Sequence, residues 1–346
     1  MIAPPFVAVP PPKYGGTELM VAGLVEGLIE LGHSVTLYAP GESTSGGVVR
    51  AHYPRAVWPP DPLRELVQAA TSIWDILDRR EVDVVHAHCP SAVAFAPLVP
   101  LPMVYTVHHA RDEGVCDLLR AVGPGRLTTV AISHRQRLLL GDLHAEVIHH
   151  GLAPEHYPLG RGEGRYAAFL GRFAREKGVA QALDAAARAR VPIRLAGRAH
   201  PVDADYFCDE VSDKLERPGV RWLGEVGLEG KVQLLGGAAA TLFPAAWEEP
   251  FGLVMLESML CGTPVIAYGH GSVPEVVEEG VTGFLVDSVD AMADRLSQLV
   301  TGRSPFDRER CRSVTVARFG RSRMVSAYAE LYRLLVARPV LAAHAP

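Results

Sequence analysis

Short apolar runs alternate with helical patterns along the first 150 residues. Apolar residues recur at helical spacing over Leu19–Leu31, and the run HSVTLYAP follows and ends in a Pro-Gly turn. Helical patterns near Arg64–Arg80 and Ser91–Val99 likewise precede VDVVHAH and PMVYTVHH, and LTTVAIS comes next. Strands that are apolar on both faces predict a parallel sheet covered by helices on both sides. Only Met1–Ala3 can supply a first strand, so that strand is short or begins upstream.

The periodicity stops at residues 149–163, where HHGLAPEHYPLGRGEG has the composition of a linker. A second series then runs through YAAFLGR, KGVAQALDAAARA, PIRLAGR, VRWLGEV, AAATLFPA, PFGLVMLESMLCG, PVIAYG and GFLVD. We therefore predict two doubly wound domains, residues 1–150 and 151–318. A last amphipathic helix, near Arg321–Ala337, follows the complete second series, and we expect residues 319–346 to cross back to the first domain.

Length and composition fit two ordinary globular domains. The chain has 346 residues, of which 48% are hydrophobic and 21% charged. A net charge of −5 offers no basic surface for nucleic acid, so any anion must be bound by a few local groups. No apolar run reaches the roughly 18 residues that span a bilayer, and no secretion signal is evident. We expect a cytoplasmic protein with at most peripheral membrane contact.

Cysteine and lysine usage adds two constraints. The five cysteines form no CxxC pair, which argues against a zinc site and a disulfide framework, and we expect buried reduced thiols. Arginine is the usual cation of the chain, which makes each lysine informative. Only four of the 34 basic residues are lysines: Lys13, Lys177, Lys214 and Lys231.

The densest candidate motif is EEPFGLVMLE, in which Glu249 and Glu257 are separated by seven residues. Pro250 suits the first helical position, where a missing N–H costs nothing, so Glu249 is expected at the cap. The next amides would be unsatisfied donors that favour an anion. They belong to Phe251, Gly252, Leu253 and Val254. Glu257 would lie about 10 Å along the axis from Pro250, although both glutamates also fit an ordinary helix with a solvated surface.

A second candidate element, FLGRFAREKG, places Arg172 and Lys177 after an apolar strand. Ligands of open α/β sheets bind at the carboxyl ends of the strands. Two cations there could neutralise a diphosphate without metal, since each attraction is worth about 4 kcal/mol at 4 Å and an effective dielectric near 20. A solvated turn is the alternative for either residue taken alone.

Two weaker signals lie in the first domain. KYGGTE places Gly15 and Gly16 in a turn where amides can approach a phosphate, although paired glycines also simply make turns. VYTVHHA ends a strand with His108 and His109, one of which should project towards a ligand. Other histidines at strand ends are expected to be mostly structural: His86, His88, His149 and His150.

Together these segments resemble the family 4 retaining glycosyltransferases over nearly the whole chain. The order is GGTE, TVHH, LGRFAREKG, WLGEV, EPFGLVMLE and GTPVIA, and EPFGLVMLE is similar to that family's E-x7-E signature. The resemblance implies the α/β fold called GT-B, with two Rossmann-like, doubly wound parallel-sheet domains facing a cleft. It implies an acceptor on the first domain and a nucleotide diphosphate sugar on the second, with no metal or other cofactor, in carbohydrate biosynthesis.

The resemblance also implies roles in donor binding. Arg172 and Lys177 would hold the diphosphate, Glu257 the ribose, and the backbone of Val226 the base. Further amides would complete the phosphate cradle: those of Gly15, Gly16, Leu253 and Val254.

For catalysis, the resemblance implies that Glu249 contacts the hydroxyls of the donor sugar and that His108 meets the sugar from the opposite wall, beside Arg172 and Lys177. The expected reaction is front-face displacement, in which the departing phosphate oxygen takes the proton of the acceptor. Positioning and stabilisation of the leaving group would then supply the rate.

Two departures from the family pattern leave the acceptor open. The usual Asn-Gly-Val-Asp of the linker is replaced by residues 150–153, HGLA, and His109 stands where an acid is common. The acceptor is a carbohydrate, a lipid-linked or a small molecule, and the donor carries UDP, GDP or ADP.

Other enzyme classes fit less well. A dehydrogenase would need G-x-G-x-x-G, which is missing, and a phosphorylase would need a pyridoxal lysine in a cofactor pocket. The single DxD, Asp203–Asp205, falls in a polar loop and does not favour a metal-dependent transferase. A sugar-nucleotide epimerase and a catalytically silent sugar-nucleotide-binding protein remain as alternatives.

Overall fold

The computed structural model describes residues 1–337 except Pro124 and Arg126. The chain divides into two compact units. The first contains Met1–Gly151 and the segment from Arg321 onwards, and the second contains Leu152–Gly320. Residues 338–346 of the predicted C-terminal segment lie outside the described residues.

The first unit is built from short strands and helices in alternation. Its strands are β1 (Thr36–Tyr38), β2 (Val48–Arg50), β3 (Val85–Ala87), β4 (Met103–Val107), β5 (Thr128–Ala131) and β6 (Glu146–Val147). Its helices are α1 (Gly16–Glu30), α2 (Pro62–Arg79), α3 (Pro90–Val93), α4 (Glu113–Val122), α5 (His134–Leu139) and, at the end of the chain, α14 (Arg321–Ala337).

The strands of the first unit are parallel, and Ile2 joins them into one layer. Strands β3, β4, β5 and β6 pair in that order, and β1 pairs with β2. Ile2 forms a parallel bridge to Tyr38 on one side and to Ala87 on the other. Met1–Ala3 therefore serve as the short first strand. One residue paired on each side is enough to bury Ile2 between β1 and β3.

The second unit repeats this plan with a longer sheet. Its strands are β7 (Ala167–Leu170), β8 (Ile193–Ala196), β9 (Val220–Trp222), β10 (Ala240–Phe243), β11 (Val265–Tyr268) and β12 (Gly283–Val286). Its helices are α6 (Val179–Ala189), α7 (Ala204–Tyr206), α8 (Ser212–Leu215), α9 (Leu228–Gly237), α10 (Leu253–Leu260), α11 (Val273–Val276), α12 (Val289–Val300) and α13 (Arg308–Phe319).

The second sheet is parallel in the order β12-β11-β10-β7-β8-β9. The neighbouring strands β10 and β11 are buried at every position, which explains their continuous apolar sequence. The strand order reverses between β7 and β10. This is the topological switch point at which ligands of doubly wound sheets bind.

The helices differ from the sequence prediction in several places, of which two are informative. The helix expected near Ser91–Val99 ends at Val93 and is followed by a single 3₁₀ turn at Ala96–Leu98 that contains Pro97. Helix α9 was not predicted, because its sequence ends in two glycines and has a weak helical pattern. Among the described residues no helix combines the length and apolar character needed to cross a membrane.

Helix α14 packs on α1 within the first unit. A Cβ atom on Gly27 would lie 2.4 Å from Cγ2 of Val325, so this glycine permits a close helix crossing. At the start of α14, Arg321 donates hydrogen bonds to Glu26 and Glu30 on the exposed side of α1. The contact combines an apolar centre with an ionic margin.

Glu18 is a buried carboxyl in the first turn of α1. It is 6% exposed, and a Cβ atom on Gly15 would lie 2.9 Å from its Oε2. Burial raises the pKa of Glu18 from 4.5 to about 7, although the backbone N–H of Glu18 opposes the shift. The carboxyl is therefore partly protonated near neutral pH.

The substitution Glu18→Gln should raise the melting temperature at pH 8 and leave it nearly unchanged at pH 5. Since the native pKa of about 7 exceeds the unfolded value of 4.5, the native state binds more protons in this window, and stability falls as pH rises through it. The gain at pH 8 is on the order of 3 kcal/mol. Circular dichroism melts would measure it, with Asp78→Asn as an exposed control. An equal effect of Glu18→Gln at both pH values would contradict the expectation.

Candidate active site

The candidate residues of the second unit follow adjacent strands at the switch point. Arg172 and Lys177 come after β7, and Glu249 comes after β10, which pairs directly with β7. Because the strands are parallel, their carboxyl ends lie at the same edge of the sheet. Sheet order thus places these segments together although more than 70 residues separate them in the chain.

Lys177 and Glu249 form an ion pair. Lys177 Nζ lies 2.6 Å from Glu249 Oε2, and the two side chains are only 19% and 8% exposed. Trp247 Nε1 donates to the same oxygen at 2.8 Å, and the Lys177 ammonium lies 4.6 Å from the centroid of the Trp247 ring. Trp247 was not among the predicted site residues. Its position two residues before Glu249, the first glutamate of the E-x7-E motif, is the signal that could have identified it.

The backbone of Glu249 is also held in place. Ser272 N donates to Glu249 O at 2.9 Å, and Ser272 Oγ donates to Phe251 O at 3.0 Å. Gly271 makes this approach possible, since a Cβ atom there would lie 2.3 Å from Glu249 N. The loop after β10 is thus tied to the loop after β11, which limits how far Glu249 can move.

The helix after Glu249 begins three residues later than predicted. Gly252 is its N-cap with φ of +81°, a left-handed conformation that glycine adopts readily, and the helix begins at Leu253. The expectation that Pro250 opens the helix is therefore wrong, because the backbone turns at Gly252. Phe251 is a core side chain, 2% exposed, and its amide precedes the helix.

The corrected start changes which amides can face an anion. Helix geometry leaves the amides of Leu253 and Val254, together with that of the Gly252 cap, without intrahelical acceptors. Glu257 lies four residues after Leu253, so it is about 6 Å along the axis from the observed helix start. The prediction, which counted from Pro250, was about 10 Å.

Glu257 is buried and is bound by two groups that the sequence did not assign to it. The residue is 2% exposed, which excludes the alternative that Glu257 is an ordinary solvated carboxylate. Lys231 Nζ lies 2.8 Å from Oε1, and Tyr157 OH donates to the same oxygen at 3.1 Å. Burial and the Glu257 carboxylate raise the pKa of Tyr157. Oε2 has no hydrogen-bond partner among the described residues.

Lys231 lies on α9, which the sequence analysis did not predict. The scarcity of lysine marked Lys231 as informative, but nothing in the sequence paired it with Glu257. Val226 lies in the short loop between β9 and α9, half-buried, and a Cβ atom on Gly230 would lie 2.8 Å from its Cβ. Val226 and Lys231 therefore flank the first turn of the same helix.

Arg172 is paired with acidic side chains. It donates to Glu176, and its Nε lies 3.5 Å from Asp203 Oδ2. That oxygen is buried and makes no hydrogen bond within the described chain. Asp203 belongs to the DxD tripeptide that the sequence placed in an unrelated polar loop, and the structure places it beside Arg172.

The first unit contains the remaining predicted residues. Gly15 caps α1 and Gly16 is its first residue. A Cβ atom on Gly15 would lie 2.7 Å from Cβ of Pro11, so the turn is too crowded for a side chain. Leu19 N donates to Gly15 O at 3.0 Å, which completes the first turn.

His108 follows β4 and is half-buried. Its Nε2 lies 2.9 Å from Nδ1 of His88, and its ring stacks on that of His150 with centroids 5.2 Å apart. Burial lowers the pKa of His108 to about 3, with a smaller effect of His109, so the ring is neutral at pH 7. His109 instead contacts Tyr105 OH and its own neighbouring carbonyl.

Solved structures and family models identify the class of protein. The structure of AviGT4, a glycosyltransferase involved in avilamycin A biosynthesis, superimposes with a TM-score of 0.72 at 27% identity over 97% of this chain and 95% of that one. The fold is GT-B, as the sequence predicted. Residues 158–314 match the family model Glycosyl transferases group 1, and residues 14–175 match Glycosyltransferase Family 4. The chain belongs to the family 4 glycosyltransferases.

Curated relatives cover the chain to different extents. The alpha-maltose-1-phosphate synthase of Mycolicibacterium smegmatis is 35% identical over 171 residues, which are 46% of this chain and 43% of that protein. The phosphatidyl-myo-inositol mannosyltransferase of Propionibacterium freudenreichii is 27% identical over 314 residues, 78% of each chain. The match thus spans less than half the length of the first of these relatives.

The substitution Lys231→Met should destabilise the second unit by about 3–5 kcal/mol, because it leaves the buried Glu257 carboxylate without its cation. In a Glu257→Leu background the same substitution should cost much less. Denaturant unfolding would measure both. Lys214→Met is a matched control, since its partner Asp184 is 31% exposed and also binds Arg217. Equal losses for Lys231→Met and Lys214→Met would contradict a buried pair.

Proposed function

We propose that this protein transfers a sugar from a nucleotide diphosphate sugar to an acceptor hydroxyl, with retention of configuration and without a metal. Family membership supports sugar transfer. The observation that supports a nucleotide diphosphate donor, retention and metal independence is the Lys177–Glu249 pair at the switch point. Glu249 lies one turn before the amides that begin α10. This arrangement pairs a cation with a carboxylate four residues before a helix N-terminus.

In this proposal the diphosphate lies at the N-terminus of α10. The amides of Leu253 and Val254 and the helix dipole favour its charge. Lys177 and Arg172 supply cations, and Gly15, Gly16 and Gly252 are proposed as further contacts. Glu257 accepts from the ribose hydroxyls through Oε2, and the backbone of Val226 meets the base.

The carboxylate of Glu249 is proposed to bind the hydroxyls of the donor sugar. Two donors, Lys177 Nζ and Trp247 Nε1, already bind its Oε2, and they lower the nucleophilicity of that oxygen. This arrangement favours a binding role over attack on the anomeric carbon. We therefore propose that no covalent glycosyl-enzyme forms.

The chemical step then proceeds on one face of the sugar. The bond from the anomeric carbon to the diphosphate oxygen breaks while the acceptor oxygen bonds to the same carbon. The departing phosphate oxygen takes the acceptor proton. Lys177, Arg172 and the α10 amides stabilise the diphosphate as its charge grows, an effect worth about 3–4 kcal/mol for each well-placed donor. His108 is proposed to contact the sugar.

The base, the sugar and the acceptor are proposed only by class: UDP-, GDP- or ADP-linked donors, and a carbohydrate, lipid-linked or small-molecule acceptor. Nothing in the described part of the chain favours the epimerase or the catalytically silent alternative. Product analysis with the donor alone separates the epimerase, which would convert the donor without any acceptor.

A thermal-shift screen of UDP-, GDP- and ADP-sugars should reveal one preferred nucleotide. A ligand at about 100 times its dissociation constant adds about 2.7 kcal/mol of stability. The shift should be the same in EDTA, because protein groups alone are proposed to hold the diphosphate. Loss of the shift in EDTA, with recovery on adding Mg²⁺, would overturn metal independence.

The variants Lys177→Met and Glu249→Gln should each lose at least about a hundredfold in transfer rate, because each removes a group that acts on the leaving diphosphate or the sugar. Turnover of the preferred donor, followed by chromatography, gives the rate, and proton NMR of the product gives the anomeric configuration. Lys214→Met should retain full activity. Full activity of either site variant, or an inverted product, would refute the proposal.

A further inference from the structure

Four histidines of the first unit form a continuous cluster, one within β3 and one after each of β3, β4 and β6. They are His86, His88, His108 and His150. Successive ring centroids lie 4.0, 5.2 and 5.2 Å apart. His108 is half-buried, whereas the other three are at most 5% exposed.

Both ring nitrogens of His86 are occupied by hydroxyl groups. Nδ1 lies 2.6 Å from Tyr332 OH, and Nε2 lies 2.8 Å from Thr106 Oγ1. Thr106 Oγ1 in turn lies 2.8 Å from Tyr328 OH. Both tyrosines belong to α14, so this helix completes the hydrogen bonding of His86. His86 forms no hydrogen bond to His108 in the described structure.

His88 has a different environment. Its Nδ1 lies 2.9 Å from His108 Nε2, while its Nε2 is buried and has no hydrogen-bond partner among residues 1–337 that are described. Burial lowers the pKa of both rings, with further lowering by neighbouring histidines, so each ring is neutral and carries one proton. Two neutral rings can share this contact only if one of them donates.

The buried nitrogen of His88 decides which ring donates. An N–H group buried without an acceptor is rarer and more costly than an unused lone pair. The His88 proton therefore belongs on Nδ1, from which it is donated to His108 Nε2. His108 must then carry its own proton on Nδ1, which has no partner among the described residues.

We propose that His88 is a positioning residue that holds His108 in the Nδ1–H tautomer, so that His108 presents a hydrogen-bond donor to its ligand. The proposal rests on the proposed function, in which His108 contacts the donor sugar. The group that His108 recognises is then an oxygen lone pair, such as that of a sugar hydroxyl. His108 does not accept a proton from the acceptor hydroxyl, because its one basic nitrogen already receives the His88 N–H.

The tautomers can be measured without any activity assay. Long-range proton–nitrogen correlation spectra of the full chain with ¹⁵N-labelled histidine distinguish protonated from unprotonated ring nitrogens at pH 7.5. Loss of signals in His88→Asn and His108→Gln assigns the two rings. We expect Nδ1–H in both. A proton on Nε2 of His108 would overturn the proposal whether or not the protein proves to be a transferase.

Substitutions test the consequence for the reaction. His88→Asn retains an amide N–H near the position of Nδ1 and should retain the His108 tautomer and most of the activity. His88→Leu removes the donor, and kcat should fall about tenfold to a hundredfold, the range found for groups that orient the histidine ligands of metal sites. KM for the donor should change less, since the nucleotide is bound by other residues.

His86→Gln is the matched control, because it alters an equally buried histidine of the same cluster that does not contact Nε2 of His108. It should change stability while leaving the His108 tautomer unchanged. Equal losses of kcat in His86→Gln, His88→Asn and His88→Leu would indicate a packing role and overturn the assignment. If the wild type transfers no sugar, the proposed function fails, and the spectra still decide the role of His88.

Discussion

The ion pair between Lys177 and Glu249 connects the two strands at which the order of the second sheet reverses. Lys177 follows β7 and Glu249 follows β10, and both side chains are largely buried. Neither charge could remain in that position alone, because an unpaired buried charge is strongly unfavourable. Trp247 and Ser272 bind the same segment. The position of the α10 N-terminus, and with it the proposed phosphate site, depends on this pair.

Cations and carboxylates are balanced throughout this edge of the sheet. Each glutamate of the E-x7-E motif binds one of the four lysines, and Arg172 lies beside Glu176 and Asp203. A diphosphate would therefore enter a set of charges that is already compensated. In the described part of the chain no carboxylate accepts a hydrogen bond from the amides of Leu253 and Val254, which makes them the donors whose interaction with an anion is least opposed.

The histidine cluster of the first unit is uncharged, whereas the candidate site of the second unit is built from ion pairs. Burial keeps His86, His88 and His108 uncharged, and hydroxyl groups satisfy His86. Two of those hydroxyls come from α14, whose close contact with α1 at Gly27 holds it on the first unit. The C-terminal helix thus takes part in the histidine cluster, far away in sequence from the strands that carry the histidines.

The sequence by itself determined the fold class, because two-sided apolar strands alternating with helices suffice to specify parallel sheets, and the motifs placed the chain in its family. Only the tertiary structure decided the partners of Glu257. Lys231 and Tyr157 reach it from separate elements. The scarcity of lysine does not indicate which carboxylate each lysine binds, because the strand order determines which segments lie together. The start of α10 was likewise decided by packing. Local preference favours Pro250 as the first residue, but the buried Phe251 and the left-handed Gly252 delay the helix to Leu253.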